Sequence, residues 1–455
     1  MTMHSSTTFA ATWTPPTPVA ELVAEGRSRR EQVPRSTISR LTERDRDPLG
    51  IIRAQNATRV PELVPLRNER MSANPFAFYR GTAALQAADL AADVHSGILV
   101  PSCGDAHVAN FGFYASPQRT LAFDLNDFDE AAWAPWEWDV KRLVTSIVVA
   151  GQATSRDARV VDESVLAAVR TYARAMAAAT ERAPLARYFD HFDVEAITST
   201  ADKQTRAVVR EAVREAQKRT GERAARKLTE RLPDGRLVFV ERPPTMVHST
   251  DEVESRLRDN VAHYVASADV SIRVLMSNYS VSDIARRVVG VGSVGTQCSL
   301  VLFQDGAGNP LILQAKEARQ SVLVEYGKVA QPPAYDRAVE EVGEGARVVS
   351  LQRILQAVSD PFLGHLRAFQ GDFYIRQFHD MKGGIDADTL EDGPFRGYAE
   401  ACAATLARAH AQSAETARIA GYIGNGRVVG ESMLEWAHAY AALSRRDYDA
   451  FVASL

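Results

Sequence analysis

A glycine-rich turn that runs into a strand, not a helix, sets the tightest limit on how this chain can fold. Gly290, Gly292 and Gly295 carry the spacing Gly-x-Gly-x-x-Gly, with Ser293 between the last two. In a dinucleotide-binding unit that spacing opens a helix and an acidic residue follows about 20 positions on. Here a β-type run, Cys298 to Phe303, comes next, then the turn Asp305-Gly-Ala-Gly-Asn309, then Pro310 to Glu317 with Lys316 near its end. Strand, glycine turn, strand, polar turn and strand make a meander, the most strongly β portion of the sequence. A strand in that place argues strongly against a doubly wound dinucleotide fold. A glycine turn between strands, with a lysine on the following strand, is instead suited to covering and contacting phosphates.

A second constellation lies far upstream. Cys103-Gly-Asp105-Ala-His107-Val-Ala-Asn110-Phe-Gly is followed by an apolar run containing Asp124, by Asp127-Phe-Asp129-Glu130, and by Trp136-Glu-Trp-Asp139. Transfer of a phosphoryl group to a hydroxyl needs a carboxylate within hydrogen-bond reach of the acceptor, and magnesium needs hard oxygen ligands. Asp105 has the position of the base. Asn110 and one of Asp124, Asp127 and Asp129 have those of the magnesium ligands, and spacing does not choose among the three aspartates. His107, two residues past Asp105, is set to order the loop. A Gly-Asp turn and a capping Asn are common in ordinary loops, but a loop role leaves the second carboxylate cluster without a reason. Nearer the N-terminus, Phe76, Phe78 and Tyr79 pack a turn onto the core, and Arg80 either completes that turn or reaches a phosphate with its planar guanidinium.

Around these motifs the chain reads as helical. Helices are expected at Thr82 to Val94, Val140 to Val148, Asp157 to Ala179, Asp336 to Val358, Tyr398 to Gln412 and Ser432 to Phe451, with one long charged surface helix at Thr205 to Arg231. Short strands are expected at Gly97 to Pro101 and Asp372 to Phe378. The segment Pro18 to Asp47 is charged and helix-prone, its arginine clusters forming a solvated face, and Met1 to Pro18 reads as a loose arm. The formal charge of −4 supplies no basic field, so nucleic acid is not implied. The three cysteines are far apart, odd in number and without a Cys-x-x-Cys pair, which argues against a disulfide framework or a cysteine zinc site and fits a reducing cytoplasm. No apolar run of about 18 residues occurs, and the N-terminus lacks a signal-peptide pattern, so no membrane association is expected.

Order along the chain adds a further constraint. Phosphotransferases with these motifs put the glycine turn and lysine before the catalytic loop, whereas here they come long after it. Read as a circle, the order is restored: glycine turn, Lys316, helix, the strand at Phe373, the helix Leu406-Ala-Arg-Ala-His410, then Gly104-Asp105, Asp127 and Asp139. Surface loops and termini can be rejoined without changing a core, so permutation is physically allowed.

With these motifs the chain resembles the protein-kinase-like superfamily, the aminoglycoside and choline phosphotransferase branch most of all. As a whole it is similar to a bacterial family of unknown function, through Phe78-Tyr-Arg80-Gly81, Gly104-Asp105-Ala-His107-Val-Ala-Asn110, Asp127-Phe-Asp129-Glu130, Trp138-Asp139 and Leu313-Gln-Ala-Lys316. The resemblance implies an α+β, two-lobed protein-kinase-like fold, circularly permuted. It comprises an N-terminal arm and helix (1–60), a helical catalytic lobe (61–280), a β-rich nucleotide lobe (281–385) and C-terminal helices that rejoin the catalytic lobe (386–455). It further implies ATP and Mg2+ as cofactors, Asp105 as base, Asn110 and Asp127 as magnesium ligands, Lys316 as phosphate contact and Gly290 to Gly295 as lid. Asp139 would brace the catalytic loop. The acid that pairs with Lys316 is left open among Glu325, Glu340, Glu341 and Glu344. The acceptor is a hydroxyl on a small molecule or protein. AMP transfer and non-catalytic nucleotide binding are the alternatives.

Overall fold

The β-type runs assemble into one antiparallel sheet. Strands β7 (Met246–His248), β8 (Tyr279–Arg287), β9 (Cys298–Asp305), β10 (Pro310–Ala318), β11 (Gly364–Ala368) and β12 (Gly371–Gln377) lie in the order β11-β12-β10-β9-β8-β7. The computed structural model describes residues 15–42, 44–192, 194, 202–248, 251–288, 290–368, 371–378 and 381–455. Most of the expected loose arm, residues 1–14, lies outside them. The turn between β9 and β10 closes because Asp305 Oδ1 accepts the amides of Ala307 and Asn309, at 2.9 and 2.8 Å, and Gly308 takes φ 86°.

Alternation along the strands gives the sheet two dissimilar faces. Ile284, Val301, Phe303, Leu313, Phe373 and Ile375 pack under Tyr264, Ile272 and Met276 from the helices Asp251–Ser267 and Val270–Met276. The sheet and its cover therefore begin upstream of residue 281. Lys316, Gln314 and Ile312 point the other way. Ile312 joins Leu300, Leu302 and Phe378 in a small core with Leu228, Leu237 and Phe239, while Gln314 and Lys316 are buried polar groups.

The rest of the chain is helical around the buried helix Trp136–Ala153. Asp392–His410 packs along Ala158–Thr180, and Arg427–Ala453 lies on both Trp136–Ala153 and Ala158–Thr180. Two short two-stranded antiparallel sheets, β1 (Leu99–Ser102) with β4 (Ala132–Pro135) and the hairpin β2 (Phe111–Ala115) with β3 (Leu121–Leu125), carry the loops of the upstream motif. The first helix, Val19–Gln32, crosses Thr416–Ile423 closely enough that a Cβ at Gly26 would sit 2.0 Å from the Arg418 carbonyl oxygen.

Three expected elements differ. The long charged helix is two, Lys203–Gln217 and Gly221–Leu228, because Thr220 caps the second through Arg223 N–H; the chain then turns into β5 (Thr229–Arg231), paired with β6 (Leu237–Phe239). The helix expected at Asp336 to Val358 breaks at Gly343, φ 93°, and Asp372 Oδ2 accepts the Glu344 amide at 2.7 Å. The arginines near the N-terminus are not uniformly a solvated face. Arg30 and Arg35 donate to the final carbonyls of Thr416–Ile423, and Arg46 bridges Asp89 and Asp447 at 2.8 and 2.7 Å. All three cysteines are free and buried. Among the described residues no helix is long and apolar enough to cross a membrane.

Candidate functional site

The site is built outward from a buried aspartate. Asp139, in the first turn of Trp136–Ala153, accepts the amides of Cys103 and Gly104 at 2.8 and 3.0 Å. His410 Nε2 lies 3.2 Å from the same carboxylate, and its Nδ1 is 2.7 Å from the Tyr172 hydroxyl. Gly104 is held at φ 79°, and a Cβ there would meet the Glu130 carbonyl oxygen at 2.2 Å, so this turn requires glycine. The turn delivers Asp105. Arg142, one turn beyond Asp139, donates Nε to Asp105 Oδ1 at 2.8 Å and its other nitrogens to Gln86 and the Tyr79 carbonyl. Burial raises the Asp105 carboxyl above its usual range, against the pull of Arg142. Asn110 Nδ2 donates to the Asp105 carbonyl at 2.8 Å, fixing the loop's far end. His107 lies 3.6 Å from Asp105, and burial, followed by Arg142, keeps its imidazole well below its usual pKa and therefore neutral.

The meander reaches the same place. Lys316 Nζ is 2.5 Å from Asp129 Oδ2 and 3.9 Å from Asp127 Oδ1, and the Tyr374 hydroxyl donates to the other Asp129 oxygen. Burial opposes the Lys316 ammonium, yet Asp127 and Asp129 hold its pKa well above normal. Asp127 is likewise held below the usual carboxylate range despite burial, by Lys316 first and then Arg376. Lys316 thus takes its partners from the Asp127–Asp129 run and not from Glu325, Glu340, Glu341 or Glu344. The reason is visible on the helix Glu344–Leu355. Its Arg347, not a glutamate, faces the loop and donates to the carbonyls of Asp129, Ala131 and Arg319.

The Asp105 loop, the Asp127–Asp129 run and part of the glycine turn line one cleft of about 770 Å³, while Lys316 and Gly295 are not among its lining residues. Asp105, His107, Asn110, Asp127 and Asp129 line it together with Gly290, Gly292, Ser293 and Arg80. The glycine turn is seated by backbone contacts: Val60 N–H donates to the Gly295 carbonyl at 2.8 Å, and Arg70 donates to that of Gly290 at 2.5 Å. Gly290 and Gly295 take φ 70° and 87°, which glycine adopts without strain. Asp124 stands apart from the cleft. Its Oδ2 lies 3.4 Å from Arg408 and accepts the Ala357 amide at 2.8 Å, and its Oδ1 accepts the Leu125 amide at 2.9 Å, so both oxygens serve the packing of β3.

The comparisons with known proteins bear on the whole of this arrangement. The sequence family described as "Uncharacterized protein conserved in bacteria (DUF2252)" matches residues 59–454. The chain belongs to that family. The match includes the Asp105 loop, the Asp127–Asp129 run, the glycine turn and Lys316. No curated protein and no solved structure matches.

Several residues of this family member's cleft had not been singled out. Arg59 and Arg319 line it together with Arg80, whose Nε is buried without a hydrogen-bond partner. Arg142 had a signal, since it follows Asp139 by three positions on one helix face; Arg59 and Arg319 had none. Glu130 accepts the Val322 amide at 2.8 Å, and burial pushes its carboxyl from an ordinary 4.5 up to about 7. A raised carboxyl pKa contributes stability that is complete below the unfolded value and is lost as pH rises through the folded one. Between pH 4.5 and 8 the wild type is therefore expected to lose on the order of 1–3 kcal/mol that a Glu130→Gln variant keeps. Urea unfolding at pH 5 and 8 checks this, and an identical loss in both proteins would remove Glu130 as the cause.

Among the described residues no three His, Cys, Asp or Glu side chains are grouped to hold a metal unaided. Magnesium does not require such a cage, because it is commonly held by one or two carboxylates together with substrate phosphates and water. Asn110 donates only through its nitrogen, leaving its amide oxygen for another partner. Lys316 and the Asp129 amide both face Asp127 Oδ1, which leaves Oδ2. The donor set fits the ion.

Proposed function

We propose that the chain is an ATP- and magnesium-dependent phosphotransferase with a two-lobed, circularly permuted kinase-like architecture, moving a phosphoryl group to a hydroxyl of a small molecule or protein. One observation carries this reading. Lys316 pairs with the Asp127–Asp129 run across 187 positions of sequence, beside a cleft shared by Asp105 and the glycine turn. Permutation is supported by the helix Asp392–His410, which directly precedes the Asp105 loop in the cyclic order and whose His410 reaches the Asp139 carboxylate that accepts the amides of Cys103 and Gly104.

In this reading Asp105 accepts the proton of the acceptor hydroxyl, and Arg142 fixes the carboxylate that does so. Asn110 and Asp127 would hold magnesium, which supplies charge neutralisation at the phosphates. Arg59 and Arg80 bring positive charge to the cleft wall, where Arg319 is paired with Glu317 at 2.8 Å, and Lys316 orders the two aspartates from the sheet. A phosphate acceptor with no catalytic base would not need this loop geometry. Incubation with magnesium, ATP labelled at the α or γ position and mixed hydroxyl-bearing acceptors tests the assignment. Transfer of γ label is expected. Transfer of α label identifies AMP transfer, and absence of any turnover, or full turnover in Asp105→Ala, overturns catalysis by this site.

A further inference from the structure

A second cavity, of about 590 Å³, adjoins the Asp105 cleft: Gly290 lines both, Asn126 lines this one and Asp127 the other. Among the described residues its lining includes three buried amides, Gln314, Gln352 and Gln356. Gln352 and Gln356 stand one turn apart at the end of the helix Glu344–Leu355. Gln356 Nε2 donates to the Leu125 carbonyl at 3.1 Å, and Gln352 Nε2 donates to Gln356 Oε1 at 3.0 Å. A backbone carbonyl can only accept, so it fixes the direction of both amides. The relay therefore ends on an acceptor, Gln352 Oε1. That oxygen is buried, in a residue 5 % exposed, and no described group donates to it. Leaving a buried acceptor unmet is costly. The polarity of Gln314 is set in the same way. Arg376 Nε donates to its Oε1 at 3.1 Å, and among the described residues its Nε2 meets the Cys298 sulfur at 3.3 Å, a weak acceptor.

We infer that this cavity receives the base of a nucleotide and that Gln352 selects a base carrying an amino or imino N–H. The occupant rests on the nucleotide reading of the Asp105 cleft; the polarity at Gln352 does not. An amide acceptor and an amide donor in one lining match the edge of a purine, where an N–H stands beside a ring nitrogen or a carbonyl. Ala115, Val288, Pro361 and Phe362 add the apolar surface that a planar ring needs. Because the two cavities share Gly290 and divide at Asn126 and Asp127, a base held here leaves its phosphates at the glycine turn.

Calorimetric titration of the full chain with adenosine and with purine riboside, its analogue without the amino group, tests this. Purine riboside has no N–H on its base. Wild type is expected to bind adenosine, and to bind purine riboside at least about tenfold more weakly, the cost of leaving the buried oxygen unmet. Gln352→Met, close in volume, should bind the two nucleosides alike. Gln356→Met lets the Gln352 amide turn its nitrogen to the cavity, so the preference should shrink while adenosine still binds. Equal affinities in wild type, with water capping Gln352, overturn the inference, as do absence of adenosine binding and a preference unchanged in Gln352→Met. A nucleoside has no phosphate to transfer, so the outcome is separate from turnover. Label transfer from ATP without the preference sinks the base site alone, and the preference without label transfer sinks the phosphotransferase reading alone.

Discussion

Asp105→Asn is expected to lower turnover by on the order of 10²–10⁴ while leaving the fold in place, the usual contribution of a positioned general base. The amide keeps an oxygen where Arg142 Nε donates at 2.8 Å, so the loop retains its main tether. What it loses is the capacity to take a proton. Burial raises the wild-type carboxyl pKa, so its active, deprotonated form should be lost, as pH falls, at a pH above the ordinary carboxylate value of 3.8. The acid limb of the rate profile should therefore lie higher than an exposed aspartate would give, and should be absent from the residual activity of Asp105→Asn. A residual rate with the same acid limb would assign the proton acceptor elsewhere.

Asp139→Ala is expected to destabilise the chain by about 3–5 kcal/mol, as when one partner of a buried charged network is removed. Asp139 is 2 % exposed and accepts two backbone amides besides facing His410. Without it the Cys103 and Gly104 N–H groups are left buried with no acceptor, each at a cost of its own. The turn that aims Asp105 would then lose its anchor, so activity should fall even at temperatures where the variant is folded. Asp139→Asn, which keeps one acceptor oxygen, should lie between the two. Urea unfolding measures the first effect and turnover well below the midpoint the second; a loss under 1 kcal/mol with normal turnover would contradict the bracing role.

The sequence made part of this site legible for physical reasons. Asp105 and Asn110 sit five residues apart in a loop that must close on its own backbone, so their proximity is local. The meander was equally local, because alternation and turn chemistry act over a few residues. The pairing of Lys316 was not, since its carboxylates come from a run 187 positions away and a glutamate on the following helix was the natural expectation. Arg347 occupies that helix face instead, satisfying three carbonyls, a role no spacing announces. Asp124 illustrates the same limit. Its residue type matched a metal ligand, but on β3 its side chain turns to Arg408 and away from the cleft. The breaks at Thr220 and Gly343 were written in capping residues, and the charge pattern on either side of them masked the signal.

The most direct test of the central claim is a crystal structure of the chain soaked or grown with magnesium and a non-hydrolysable ATP analogue. Magnesium is expected on Asn110 and Asp127, and phosphates between the Gly290 to Gly295 turn and Lys316, within reach of Asp105. A nucleotide bound away from both the glycine turn and the Asp127–Asp129 run, or no nucleotide at saturating concentration, would contradict it.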